Sequence, residues 1–387
     1  MSKSVRYKLN KSSKSRKKRR SNRGSKTRFK KIYNFKLLKI FLLILAFLLL
    51  GYWFFVAYTT VRDIRVTDVV EDSEIIGFGD FRGIFRTLII YEDPNTSEEN
   101  NLFMLAVIHN PDTSEVLIYN FPSQIYITDY FANQYISIQN LTYAGESYMY
   151  REKYAYVIRQ IEEQMAINFD NYILFGAEIS KNFVSESSSW GSSKEEVLSI
   201  FSKLSFINLM PRYYKVHLFE DHFHSNMSFL EMYSRFQNIG GIIASDNYKY
   251  VDLGEDNFVV EKTLGSGKNA KILNKNALDE SIREHLDISR TRALRGEHVK
   301  VEVYNGSDIP GYARDIARRI HNSGCRVIRF ENASILYDET KIYVADKEKF
   351  STGLDVVSSI VREARIIEGR PDFLTTGDIV VVLGIDE

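Results

Sequence analysis

The chain has 387 residues, 44% hydrophobic and 13% aromatic, which is room for two ordinary domains with real cores and too apolar for a disordered chain. A formal net charge of +1 conceals a division: residues 1–62 hold 18 of the 51 Lys and Arg and no acid, leaving 33 basic against 50 acidic residues beyond them. The one cysteine, Cys325, excludes an internal disulfide framework, and its place at the start of an apolar strand pattern makes it core filler.

Residues 1–36 are Lys/Arg/Ser-rich without apolar period, which predicts a disordered tail. Its charge suits anionic membrane lipids, at about 1 kcal/mol per basic residue near the surface. Nothing in it reads bases, so no nucleic-acid partner is expected. Residues 37–58 include an uncharged run from Ile40 to Tyr58 with Tyr52, Trp53 and Tyr58 near its end, the pattern of a membrane span with interface aromatics. The run is too long for a cleaved secretory signal and no small-residue cleavage site follows it. Lys and Arg massed before the span predict a cytoplasmic N-terminus and an extracytoplasmic remainder.

Residues 59–96 read as a juxtamembrane segment of short apolar pieces, 74–78 and 87–91, broken by glycine and acid. Strands are predicted at 102–108 and 115–121, joined by the turn Asn110-Pro111-Asp112-Thr113 into a hairpin, with a short piece at 125–127. From 149 to 165, Tyr154, Val157, Ile158, Ile161 and Met165 recur at helical spacing and share a face. Further strands are expected at 169–175 and 213–219, a loop around Trp190, a helix at 194–204 and mixed strand over 248–264. A polar, partly helical connector occupies 265–297. The last ninety residues predict strands at 299–304, 325–330, 341–345 and 378–383 with helices at 310–322 and 352–365. The class is α/β (α+β), ending in a βαββαβ plait of the ferredoxin-like kind.

Several patterns that suggest chemistry are incomplete. Gly306 and Gly311 have the spacing of a phosphate loop, but Tyr312 and Ala313 stand where lysine and a hydroxyl should. Asn305 and Gly306 are then a tight turn, Asn through local hydrogen bonds and Gly through positive φ, while Gly311 lets the helix approach a neighbour. Gly265-Ser266-Gly267-Lys268 opens no helix. Glu220-Asp221-His222-Phe223-His224 puts two histidines on one strand face without a remote partner, so no metal ligands are assigned. No catalytic Ser/His/Asp spacing is present.

VEVYNGSDIPGYARDIARRIHNSGCRV, with Asn305, Gly306, Ser307 and Gly311 as its turn, and the closing GDIVVVLGIDE resemble the C-terminal domain of LytR–CpsA–Psr family proteins. Upstream, LFMLAVIHNPDTSEVLIYNFPSQIYI resembles the opening hairpin of that family's main domain. The resemblance divides the outer part into a divergent main domain at 97–264, the connector, and a LytR-type domain at 298–387. It implies a phosphotransferase moving glycopolymers from a polyprenyl-pyrophosphate carrier onto peptidoglycan, with Mg²⁺ as cofactor.

The family's Ser-Ile-Pro-Arg-Asp segment, whose arginine serves the pyrophosphate, is here Asn120-Phe121-Pro122-Ser123-Gln124, and the expected acid before the first strand is Asn101. Neutral Ser123 and Gln124 hold neither a pyrophosphate nor a metal, a loss on the order of 10² or more in rate. The expectation is therefore a membrane-anchored envelope protein that binds or scaffolds in cell-wall assembly without catalysis or cofactor. Its partners would be a cell-wall polymer, a lipid-linked precursor or envelope proteins. The alternatives are an atypical phosphotransferase, with cations such as Arg151, Lys153 or Arg212, and a transcriptional attenuator, for which the tail offers no helix-turn-helix.

Overall fold

The computed structural model describes residues 36–55, 83–92, 102–129, 131–148, 153–176, 194–203, 223–227 and 229–385. The expected tail, the strand at 213–219, the loop around Trp190, and Asn101, Arg151, Arg212, Glu220, Asp221 and His222 lie outside them. The chain divides into two compact units at residue 64. In the first, α1 (Lys36–Phe55) is a 20-residue helix, long and apolar enough to cross a membrane. At about 1.5 Å per residue it spans about 30 Å, with its Leu, Ile and Phe side chains exposed as a lipid-facing helix requires.

The second unit opens with β1 (Phe85–Glu92), β2 (Leu102–Asn110) and β3 (Glu115–Phe121). They are followed by β4 (Tyr126–Thr128), β5 (Tyr135–Ser137), α2 (Leu141–Tyr148), α3 (Lys153–Met165) and β6 (Asn171–Phe175). Next come α4 (Lys194–Lys203), β7 (Phe223–Ser225), α5 (Phe229–Ala244), β8 (Tyr248–Asp252), β9 (Val259–Thr263), β10 (Asn269–Leu273), α6 (Lys275–Glu284) and α7 (Arg292–Glu297).

A six-stranded mixed sheet runs β7-β6-β1-β2-β3-β8. The predicted hairpin forms as β2 and β3, with His109 opposite Val116. Asn110 turns it: its Oδ1 accepts from Asp112 N at 3.0 Å, and its Nδ2 donates to the carbonyls of Ile288 and Arg290. The structure corrects the reading of 59–96 as wholly juxtamembrane, because β1 lies inside this sheet, antiparallel to β2 and parallel to β6. Its run Leu88-Ile89-Ile90-Tyr91 is buried on both faces, the burial an interior strand reaches when both faces are covered. A smaller sheet, β5-β4-β10-β9, draws the first part of the expected connector into this body. Gly265-Ser266-Gly267-Lys268 is the β9–β10 hairpin turn, closed by Leu264 N to Lys268 O at 2.9 Å.

The C-terminal part contains β11 (Lys300–Asn305), α8 (Tyr312–Asn322), β12 (Arg326–Asn332), β13 (Lys341–Val344), α9 (Ser351–Ile360), β14 (Arg365–Glu368) and β15 (Ile379–Leu383). The α/β class holds, but the plait gains a strand. The helix expected to 365 stops at Ile360, and 365–368 pairs with β13 instead. The sheet order is β12-β11-β15-β13-β14, parallel except between β13 and β15. Each βαβ crossover puts its two strands side by side, so the ferredoxin-like interleaving of strands does not form.

α8 buries Ala313, Ile316, Ala317 and Ile320 as its spacing predicts. It ends in a Schellman motif at Gly324 (φ 106°), with Gly324 N bonded to His321 O and Cys325 N to Ile320 O. Cys325 is fully buried, and that burial pushes its thiol up to about 12.

The polar face of α8 locks onto α3. Arg318 Nε meets both carboxylate oxygens of Asp279 at 2.7 and 2.9 Å, and its terminal nitrogens donate to the Glu163 and Gln164 carbonyls. Arg319 pairs with Glu163 and reaches Asn168 Oδ1 at 2.7 Å, and Asn322 donates to Met165 O at 2.8 Å. α3 is buried well beyond its predicted apolar stripe: Gln160 and Gln164 donate to Asp129 and the Thr128 carbonyl, and Glu162 accepts from Phe169 N.

Candidate functional site

Pro122, Ser123 and Gln124 form the turn that carries the chain from β3 in the large sheet to β4 in the small one. Ile125 N closes it on Pro122 O at 3.3 Å, and Gln139 N bonds to Ser123 O at 3.0 Å. Pro122 is buried against Gly254, where an added Cβ would come within 2.9 Å of Pro122 Cγ. Ser123 is half-buried and Gln124 exposed, and Ser123 Oγ donates to Gln124 Oε1 at 3.3 Å. The polar end of the turn is thus two neutral side chains bonded to each other. β8 sets the acid Asp252 level with Asn120 at the root of the turn.

Five residues on, Asp129 is buried and accepts four hydrogen bonds. They come from Tyr156 Oη at 2.6 Å, Gln160 Nε2 at 3.0 Å, and the Phe131 and Ala132 amides at 2.8 and 3.2 Å. Burial, and then the bond to Asp129, push the Tyr156 phenol well above its ordinary range. Phe131 and Tyr148 stack on the Tyr156 ring with centroids 5.6 and 5.9 Å apart, and both stay about half exposed. Tyr143 and Tyr135 add exposed aromatic faces nearby in sequence, Tyr135 under the Lys262 ammonium at 4.7 Å. The segment following the turn is an aromatic tray fixed from beneath by a saturated carboxylate. No sequence pattern flagged it, because its rings belong to β5, a loop and two helices.

Among the described residues no three His, Cys, Asp or Glu side chains converge to hold the Mg²⁺ that a phosphotransferase would use: Asp129 has its oxygens committed, Asp252 Oδ1 accepts from Gly254 N at 2.9 Å, and Ser123 and Gln124 bring no charge. Of the cations named as substitutes, Lys153 is paired with Glu146 at 3.0 Å and sits over the Tyr154 ring. His224 lies on β7.

The turn at 305–311 is built by Asn305. Its Oδ1 accepts from Ser307 N at 3.1 Å and Ser307 Oγ at 2.7 Å, and its Nδ2 donates to Ile309 O at 2.8 Å. The two glycines exchange the roles expected of them. Gly306 is not in the positive-φ region; a Cβ there would lie 2.6 Å from the Tyr337 ring and 2.8 Å from Leu383 O. Gly311 takes φ 82° as the cap of α8, and a Cβ there would meet only Arg314 Nη2, at an ordinary contact distance of 3.6 Å. The Ser307 hydroxyl is spent within the turn, donating to Asn305 Oδ1 and accepting from Ile309 N at 3.2 Å.

Residues 298–386 match the protein-family model described as LytR cell envelope-related transcriptional attenuator. No curated protein matches the chain in sequence. Among solved structures the chain is similar to a transcriptional regulator from Enterococcus faecalis, at 11% identity and TM-score 0.37, over 52% of this chain and 85% of that one. It is also similar to TagV from Bacillus subtilis, at 11% identity and TM-score 0.37, over 53% and 97%. A third is TagT bound to LI-WTA, at 12% identity and TM-score 0.34, over 59% and 95%.

Proposed function

We propose that this chain is a single-pass membrane protein whose tail is cytoplasmic and whose second unit lies outside the membrane, where it binds an anionic cell-wall glycopolymer without transferring it. The observation that carries this reading is the 122–124 turn, where Ser123 and Gln124 bond to each other in place of the cation and acid that the resemblance implies. A pyrophosphate leaving group needs charge-assisted hydrogen bonds, and neutral side chains beside Asp252 supply none. The LytR-type C-terminal domain and the apolar helix α1 support the envelope setting. Phe131 and Tyr148 offer ring faces on which a sugar's C–H face can rest.

The test is an in vitro transfer assay with a polyprenyl-pyrophosphate-linked glycopolymer and a peptidoglycan acceptor, on the full chain and on Ser123→Arg. The full chain should retain the polymer and transfer none. Transfer by the unmodified protein would refute the reading. A gain with Ser123→Arg would identify that position as the missing cation.

A further inference from the structure

A second site lies beside the α3–α8 contact, with Arg318 and Asn322 in its wall. α6, α8 and the edge strand β12 enclose a cleft of about 700 Å³. Its cations come from three elements: Lys275 and Arg283 on α6, Arg314 and Arg318 on α8, and Arg329 on β12. Two acids, Asp279 and Asp315, face the same space. Asp279 is consumed by Arg318, which also spends its remaining donors on α3 carbonyls. Asp315 meets Arg314 only at 3.6 Å, and both are largely exposed. Arg283 and Arg329 have exposed partners in Glu280 at 2.6 Å and Glu331 at 3.7 Å, ion pairs that water weakens and a better anion displaces.

Lys275 makes no hydrogen bond or ion pair among the described residues. Burial first, and then the charge of Arg318, lower its pKa. His321 lines the same wall with a buried Nε2 that has no hydrogen-bond partner among the described residues, and burial and the charges of Arg283 and Arg290 lower its pKa. Glu163, Asp315 and Asp279 act on Lys275 only through space, so its ammonium has no bonded carboxylate among the described residues. Beside it, Ile328 and Phe330 present exposed apolar surface on β12.

We propose that this cleft binds a phosphodiester-bearing polymer, with Lys275, Arg283 and Arg314 taking the phosphate oxygens and Phe330 and Ile328 the carbon skeleton between them. Guanidinium forks suit phosphate oxygens in pairs, and an ammonium adds a point charge. The polymer's identity rests on the function proposed above; the cleft's affinity for phosphate does not.

The test uses the full chain in neutral detergent and reads lysine acylation by mass spectrometry, with inorganic pyrophosphate as the probe. Saturating pyrophosphate should slow acylation of Lys275 several-fold and leave Lys349, which is outside the cleft, unchanged. Poly(glycerol phosphate) should protect Lys275 equally. In Arg283→Ala/Arg314→Ala, the pyrophosphate needed for half-protection should rise about tenfold or more, the loss of two charge-assisted partners. The basic tail is present in both proteins and cancels. Equal labelling of Lys275 with and without pyrophosphate, equal protection of Lys349, or an unchanged half-protection point in the double variant would each overturn the site. A positive transfer assay would refute the non-catalytic reading and leave this result standing.

Discussion

Replacing Glu162 by glutamine should make the protein more stable at mildly alkaline pH and leave it unchanged under acid. Glu162 sits on α3 beneath the α3–α8 contact with its side chain 1% exposed. Its Oε1 accepts from Phe169 N at 2.9 Å, and Arg159 is 3.8 Å from the other oxygen. Burial outweighs both, together with the more distant Arg319, and holds the carboxyl up to about 7. An unfolded glutamate titrates near ~4.3. Between those values the folded state holds a proton the unfolded state has released, so stability falls as pH rises through the window and is level above it. The gap from ~4.3 to about 7 corresponds to about 3–4 kcal/mol. Glutamine mimics the protonated acid and keeps the acceptor for Phe169. The variant should therefore match the parent near pH ~4.5 and exceed it by about 3–4 kcal/mol near pH ~8. His109, pushed down to about 4 by burial and Arg235, acts in the opposite direction, losing stability as pH falls below its ordinary value, but it is common to both proteins. Melts by far-UV circular dichroism across that range measure the difference. A difference that does not change with pH, or a variant less stable at high pH, refutes the argument.

Gly306→Ala should destabilise by about 1–3 kcal/mol through its clash with Tyr337 and Leu383, while Gly311→Asn should cost less than Gly311→Val because asparagine tolerates positive φ. Melting temperatures of the three variants decide it, and equal losses at 311 would count against the φ argument. Arg318→Ala leaves two carbonyls without their donor and Asp279 with Asn322 Nδ2 alone at 3.3 Å, a loss of about 3–5 kcal/mol read by denaturant titration. Phe131→Ala and Tyr148→Ala should each weaken binding of isolated wall glycopolymer by a factor of several, measured by calorimetry, and each should cost about 0.5–1.5 kcal/mol of stability for the lost stack on Tyr156.

Where the fold depends on local pattern, the residues announce it. The β2–β3 hairpin follows from two apolar runs around Asn110-Pro111, and the buried stripes of α3 and α8 follow from three- and four-residue spacing. Where it depends on pairing at a distance, they do not. β1 is a short apolar run that looks incidental until Leu88 meets Tyr172, and Arg365-Ile366-Ile367-Glu368 continues a helical pattern until β13 is there to pair with it. The two glycines of the C-terminal turn make the same point at one residue's scale. Gly306 is required by Tyr337 and Leu383, which no local pattern connects to it, and Gly311 by its own φ.

The sites divide in the same way. The turn at 122–124 is legible because a missing charge is a property of the residues themselves. The basic cleft is not, because Lys275, Arg283, Arg314 and Arg329 each read as an ordinary solvated charge on its own element. What gives them a common purpose is the docking of α8 on α3 and α6, and that docking is achieved by Arg318, Arg319 and Asn322, which spend their own donors on protein oxygens. A helix that commits some of its cations to holding two domains together fixes the others in place. This pre-positioning lowers the ordering cost of gripping an anion, and it makes the α3–α8 contact a determinant of binding as well as of stability.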